Sequence, residues 1–141
     1  MAAVQNNAMI SHKLQYALGA SPSYNSWEVG LFIASTISPA CTDAASVYTT
    51  STAECSISGY ARAQLPYSAW SGGIASCVYS VSALGIPFSF ATGGQTLYGH
   101  FLYDQTSGTI GWAEVWAIPF TVPSGGGSVA LNLIYAEKQC S

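Results

Sequence analysis

Residues 96–120 read TLYGHFLYDQTSGTIGWAEVWAIPF, and this stretch decides the fold. Two apolar runs flank the polar segment at 104–108, which ends in a glycine able to adopt positive φ in a tight turn. In the second run, alternation brings the larger side chains onto one face: Ile110, Trp112, Glu114, Trp116, Ile118 and Phe120. The stretch therefore predicts a β-hairpin whose second strand turns this face, with Trp112 and Trp116, towards the core.

The chain from residue 27 onward continues this pattern on both sides of the hairpin. Apolar runs are separated by Ser, Thr, Gly and Pro at spacings of about ten to fifteen residues, which is typical of short strands joined by turns. The predicted strands are Trp27–Ser35, Val47–Thr50, Cys55–Ala63, Ile74–Val81, Pro87–Ala91, Thr96–Tyr103, Thr109–Phe120 and Ser128–Ala136. We therefore expect an all-β fold, a single jelly-roll-like β-sandwich of about eight strands.

The N-terminal segment has helical rather than strand periodicity. Apolar residues recur at three- and four-residue intervals between positions 8 and 18, and Gly19 and Pro22 end the pattern. We expect a short N-terminal helix or arm over residues 1–26, outside the sandwich at 27–141. Its apolar stripe consists of Met9, Ile10, Leu14 and Leu18, and we predict that it docks on another protein, either a neighbouring subunit or a larger assembly to which the subunit attaches.

Composition limits what the protein can bind. The 141 residues fit one domain, half of them are hydrophobic and 6% are charged, against about a quarter in typical soluble domains. A surface with so few charges tends to pack against another surface. The chain has only three cationic residues, Lys13, Arg62 and Lys138, and it has six acidic ones. We therefore expect no binding to nucleic acid or to an anionic membrane surface.

Apolar runs are too short to span a bilayer, which needs about 20 residues, and the N-terminus has no secretory pattern. We expect synthesis in a cytoplasm. The four cysteines, Cys41, Cys55, Cys77 and Cys140, lack the spacing of a zinc site. We expect these cysteines to be buried free thiols. The sequence is also compatible with disulfides that form after release from a cell, and it does not distinguish the three ways of pairing four cysteines. The sequence suggests no cofactor.

Glu114 stands between two tryptophans in the hairpin, where an unpaired carboxylate would cost several kcal/mol. Arg62 is the only arginine and follows Gly59, Tyr60 and Ala61 in a predicted strand. A guanidinium can satisfy a carboxylate through two parallel hydrogen bonds. We therefore predict an Arg62–Glu114 pair that fixes strand register, with a structural rather than a catalytic role.

Individual residues of the chain would allow two catalytic arrangements, but no sequence motif supports either of them. His100 precedes Asp104 by four residues and serine is abundant, which allows a Ser-His-Asp arrangement to be imagined. No G-x-S-x-G motif accompanies it. Asp104 and Glu114 could act as a glycosidase pair only if their carboxylates came within about 5 Å. We expect a protein that is not an enzyme.

Aromatic residues leave a second class of function open. Trp27, Trp70, Trp112 and Trp116, with nine tyrosines, could form a platform that stacks on sugar rings. Core packing is the expected use for at least three of the tryptophans. A carbohydrate-binding or receptor-binding adhesin module is therefore the alternative function.

Several segments, taken in order, resemble a family of small tailed-bacteriophage virion proteins that act as capsid decoration, or cement, proteins. The pieces that carry the resemblance are Leu14–Leu18, Val29–Ile33, Ser58–Arg62, Trp70, Leu97–Asp104 and Gly111–Trp116. The resemblance covers nearly the whole chain. The sequence departs from the family in its extra cysteines and its low charge.

The resemblance implies a β-sandwich that self-associates as a dimer or trimer. It implies a position on the outer capsid surface of a virion, where the protein ties neighbouring major capsid protein subunits together. It implies no catalytic residues. In this family the larger assembly on which the N-terminal stripe could dock is the capsid, and the adhesin alternative would belong to a tail or fibre. The protein is then expected to be made in the host cytoplasm and to stabilise the lattice through many individually modest contacts.

Overall fold

The computed structural model describes residues 4–5, 27–40, 42–66, 69, 71–75 and 78–138. Over these residues the chain is mostly β, with two antiparallel sheets and almost no helix, which agrees with the predicted all-β class. The elements are β1 (Val4–Gln5), β2 (Trp27–Phe32), α1 (Ser46–Thr49), β3 (Ala63–Leu65), β4 (Ser71–Ala75), β5 (Val78–Phe90), β6 (Thr96–Asp104), β7 (Thr109–Thr121) and β8 (Gly127–Lys138).

Two sheets contain all of these strands. One has five strands in the order β1-β7-β6-β2-β3, and the other has three in the order β4-β5-β8. The predicted hairpin joins β6 and β7 at the centre of the larger sheet. Gly108 adopts a φ of +69° and its N–H donates to the Asp104 carbonyl at 2.8 Å, which closes the turn. The hairpin prediction is confirmed.

One apolar core draws on both sheets. Val29 and Leu31 of β2, Leu97 of β6 and Leu133 of β8 are among its fully buried side chains. Each such side chain contributes about 1.5–3 kcal/mol to stability by leaving water. Side chains from both sheets thus meet in one buried cluster.

The opposite face of the five-stranded sheet carries a second, aromatic cluster. Its buried members are Phe32, Tyr48, Phe101, Ile110 and Ala113. The Phe101 ring crosses over Gly30 of the neighbouring strand, so a Cβ at residue 30 would lie 2.2 Å from the ring tip. Glycine is required there because the ring occupies the space of a side chain.

Helix α1 covers this cluster and corrects the predicted strand at 47–50. Tyr48 is buried, and its hydroxyl donates to Asp43. Burial and the hydrogen bond to Asp43 raise the pKa of Tyr48 above its ordinary value. Val47 and Thr49 favour strands locally, but anchoring of the Tyr48 ring stabilises one helical turn instead.

Two other strand predictions are wrong. The segment predicted as Cys55–Ala63 is strand only at its last residue, where β3 begins, apart from an isolated bridge between Phe32 and Glu54. The segment predicted as Ile74–Val81 contains the end of β4 and the start of β5, which are paired with each other. Of the run predicted as Pro87–Ala91, residues 87–90 form the end of the long strand β5.

The predicted alternation on β7 holds only in its middle. Trp112 belongs to the shared core and Trp116 packs against it, but Ile110 belongs to the aromatic cluster on the other face. The register shifts by one residue at Gly111, which reverses the direction of Ile110. The β6–β7 register shifts again, by several residues, between Val115 and Phe120. Ile118 lies within this irregular stretch and is 83% exposed, so it is not a core residue.

Residues Val4–Gln5 pair with Trp112 and Ala113 at the edge of the five-stranded sheet. This short strand lies in the segment predicted as an arm outside the sandwich. The predicted helix at 8–18 lies outside the described residues.

Candidate functional site

Arg62 is the centre of a polar cluster beside β2 and β3. Its Nε and Nη2 donate to the two carboxylate oxygens of Glu54, each at 2.7 Å, and its Nη1 donates to Glu28 Oε2 at 3.3 Å. Hydrogen bonding to Glu54 raises the pKa of the Arg62 guanidinium further above its ordinary value. The guanidinium also lies 4.7 Å from the centroid of the Tyr103 ring, close enough for a cation–π contact.

The same cluster fixes neighbouring segments through neutral partners. The Tyr60 hydroxyl donates to Glu54 Oε1 at 2.9 Å and accepts the Leu31 N–H at 2.9 Å. Burial raises the pKa of Tyr60 above its ordinary value. The side-chain amides of Gln64 and Gln105 donate to Glu28 Oε1. All four carboxylate oxygens of Glu28 and Glu54 thus accept hydrogen bonds, which suits a structural cluster rather than a general base.

The predicted Arg62–Glu114 pair is wrong. Arg62 pairs with Glu54 and Glu28. Glu28 and Tyr103, its neighbour across the strands, share the sheet face on which Arg62 lies. Glu114 is on β7, two strands from β2, and its partner across the strands is His100. Glu28 lies inside an equally apolar strand, so its carboxylate needs a partner for the same reason as that of Glu114.

His100 is buried and uncharged at neutral pH. Its Nδ1 accepts the Trp116 Nε1–H at 2.9 Å, which assigns the ring proton to Nε2, and Nε2 has no hydrogen-bond partner among the described residues. Burial lowers the pKa of His100 to about 4. The ring acts as a hydrogen-bond acceptor inside the core, beside Trp112.

Asp104 is engaged at the hairpin turn rather than with His100. Its carboxylate accepts the Thr106 N–H at 2.9 Å and the Ser107 hydroxyl at 2.7 Å. These bonds stabilise the turn in the way that Asp commonly does. No Ser-His-Asp arrangement is assembled around His100 in the described part of the chain.

Asp104 and Glu114 are also too far apart for glycosidase chemistry. Asp104 pairs with Thr109, and Glu114 pairs with His100 four residues further along β6. Four residues of strand span roughly 13 Å, well beyond the separation of about 5 Å that a retaining pair needs.

The described tryptophans are core residues. Trp27 and Trp112 are buried, and Trp116 packs against them from a half-buried position. Core packing, the use expected for most of the tryptophans, is confirmed for these three. Trp70 lies outside the described residues, as do the predicted interface residues Met9, Ile10, Leu14 and Leu18.

Cys55 is the cysteine that the structure describes. It is buried and has a free thiol, and burial raises its pKa. In the described ranges, no group of three or more His, Cys, Asp or Glu side chains is arranged to hold a metal ion. None of the helices found there has the length and hydrophobicity to cross a membrane.

The described surface lacks exposed charge. Glu28 and Asp104 are buried, and the other charged side chains with a described environment, Asp43, Glu54, Arg62 and Glu114, are half-buried. The solvent-facing side chains are therefore neutral over this part of the chain. Among them are large apolar ones, with Leu84 64% and Ile134 66% exposed.

These two residues lie on one sheet surface, which we call the β5–β8 face. Ile134 is paired with Ser82, and Leu84 follows Ser82 on the same side of β5. The remaining members are small or neutral: Pro87, Ser89, Ser128, Ala130 and Asn132. A neutral surface with protruding apolar side chains is typical of a protein–protein contact. The β5–β8 face is the candidate functional site, and the sequence pattern did not reveal it.

Comparison of the chain with protein-family models, with curated protein sequences and with solved structures finds no match.

Proposed function

We propose that this chain is a phage virion structural protein, a capsid decoration protein that binds the outer capsid lattice and links major capsid protein subunits. The observation that carries the proposal is the absence of exposed charge among the described side chains, together with the exposed Leu84 and Ile134. Exposed apolar side chains of this size are unfavourable in water and favourable against another protein, and among the described residues no charge beside them opposes such a contact.

In this proposal the two sheets form a jelly-roll-like β-sandwich. The shared core, which includes Val29 of the larger sheet and Leu133 of the smaller one, supports that arrangement. A sandwich turns one face of each sheet outward. The β5–β8 face is then the outward face of the smaller sheet and contacts the capsid.

The protein acts by contact and not by catalysis. In the Arg62 cluster, every carboxylate oxygen of Glu28 and Glu54 accepts a hydrogen bond. The cluster thereby connects β2, β3 and the β6–β7 loop. A rigid subunit of this kind suits repeated attachment to a symmetric lattice, because many copies add modest contacts multivalently. Synthesis in the host cytoplasm precedes assembly on the capsid.

Co-sedimentation with capsids that lack the protein tests this proposal. Wild-type protein is expected to pellet with such capsids at a copy number in fixed ratio to the major capsid protein. The variant L84K/S89K places two charges on the β5 side of the β5–β8 face and is expected to bind at least about tenfold more weakly, since buried unpaired charges are costly.

The matched control is T106K/S124K, which adds the same charge at exposed loop positions away from the face. It should bind as wild type does, and circular dichroism should show that both variants are folded. Failure of wild type to bind capsids, or its absence from purified virions by mass spectrometry, would exclude the decoration role. Quenching of tryptophan fluorescence by saccharides would favour the carbohydrate-binding alternative instead.

A further inference from the structure

Strand β8 forms an open edge of the three-stranded sheet. It has twelve residues, and among the described residues it pairs with β5 on one side and with no strand on the other. In an antiparallel pair, the backbone groups that do not bond the partner point away from it. A long unpaired edge is a ready template for another strand.

The other sheet edges carry features that discourage pairing. β1 has two residues, and β3 has three and is followed by Pro66. β4 contains Gly72 and Gly73. β1 covers only residues 112–113 of β7, and the uncovered part of β7 contains Pro119 within an irregular stretch. Short length, proline and irregularity are the usual protections of edge strands.

β8 has none of these protections. It contains no proline, and no charged residue occurs between Gly127 and Ala136. The irregularity in its sheet lies on β5, where Leu84 and Gly85 together oppose Asn132, and the Asn132 side chain accepts the Gly85 N–H at 2.8 Å. The bulge therefore leaves β8 regular and able to accept a strand along its whole length.

We propose that β8 pairs with β8 of a second copy of this chain, antiparallel and about a two-fold axis at Asn132. The two three-stranded sheets then become one continuous sheet. This inference rests on the proposed function, for which it specifies how the subunit self-associates.

Complementary side-chain size, without any like-charge contact, favours a second copy as the occupant. An axis at Asn132 sets the exposed Ile134 opposite Ala130 of the second copy, so that a large apolar side chain meets a small one. Glu137 falls opposite Gly127 of the second copy, whereas parallel in-register pairing would bring two Glu137 residues together. The pairing is self-complementary, as a two-fold interface requires.

Charge reversal at the axis gives a direct test, because residue 132 faces itself in the dimer. Sedimentation velocity without capsids is expected to show dimers for wild type. N132K and N132E alone are expected to dimerise at least about tenfold more weakly, since like charges directly opposite repel. An equimolar mixture of the two variants is expected to restore dimers.

N132A is the control for loss of the hydrogen bond to Gly85, and it should remain dimeric. Monomeric wild type, undiminished dimerisation of the charged variants, or a mixture that stays monomeric would each overturn the proposal. Hydrogen exchange gives an independent readout, because residues 127–138 should gain protection with rising protein concentration. Protection of β8 that does not depend on concentration would mean that another segment of the chain covers it, which also overturns the proposal.

The two proposals fail separately. A chain that binds capsids but never dimerises refutes the β8 pairing alone. A chain that dimerises through β8 but is absent from virions refutes the decoration role alone. L84K/S89K changes only β5, so its effect on capsid binding is measured with β8 intact.

Discussion

The single guanidinium of Arg62 donates hydrogen bonds to two carboxylates, those of Glu54 and Glu28. Glu54 receives the bidentate contact and Glu28 the longer one, while glutamine amides supply the remaining hydrogen bonds to Glu28. The cluster therefore depends on every member, since removal of one donor or acceptor leaves a desolvated partner behind. Which carboxylates Arg62 would bind could not be read from the sequence, because strand order decides it and alternation along one strand does not.

Glu54 and Glu114 provide a matched pair of substitutions at this scale. E54Q is expected to lower the free energy of unfolding by about 2–3 kcal/mol, because the bidentate ion pair with Arg62 is lost in a mostly buried site. E114Q is expected to change it by less than about 0.5 kcal/mol. Urea unfolding of both variants measures the difference. A larger loss for E114Q than for E54Q would contradict the observed pairing.

His100 makes stability depend on pH. Its pKa is about 4 in the folded chain and about 6.5 when unfolded, so only the unfolded chain takes up this proton as the pH falls below 6.5. The stability present at neutral pH is therefore lost between pH 6.5 and about 4, by about 3 kcal/mol in all. Glu114 is the titratable group opposite His100 on β7.

H100Q isolates this contribution, since glutamine can still accept the Trp116 N–H and does not titrate. Urea unfolding at pH 7 and pH 4.5 should show a smaller loss for H100Q than for wild type. The carboxylates titrate in both proteins, so the difference between the two losses belongs to the histidine. Equal losses would contradict the assignment.

At the scale of elements, the β6–β7 hairpin was predictable because local chemistry decides it. Asp104 and Gly108 supply the turn, and the flanking runs are long enough to pair. Helix α1 was not predictable in this way, since Tyr48 gains its burial from Phe32 and Phe101, which are distant in sequence. The β5 bulge had a weak signal in Gly85, because glycine inside a strand often marks an irregularity.

Gly30 and Phe101 couple two neighbouring strands. G30A is expected to lower the free energy of unfolding by about 1–3 kcal/mol, because its methyl group overlaps the Phe101 ring. In an F101L background the added cost of G30A should be smaller. A double-mutant cycle of urea unfolding measures the coupling. G125A is the control, since no atom lies near a Cβ at Gly125, and strictly additive effects would argue against the contact.

At the scale of the whole molecule, the charged side chains with a described environment are buried or half-buried, whereas several large apolar side chains are exposed. The low charge was visible in the composition and predicted a protein that packs against others. The location of the β5–β8 face was not visible, because the exposure of Leu84 and Ile134 depends on which side of β5 and β8 faces the core. Composition thus indicated the kind of function, and the fold identified a surface that supports it.

The topology of the two sheets also has a consequence for how the chain reaches its native state. The β6–β7 hairpin forms from neighbouring residues, but Trp27 of β2 pairs with Asp104, and β5 with the C-terminal strand β8. Such distant pairings have high contact order, and chains dominated by them fold in milliseconds to seconds rather than microseconds. Until that pairing forms, β8 has no partner in its own sheet, and an exposed strand edge of this kind is prone to aggregation during folding.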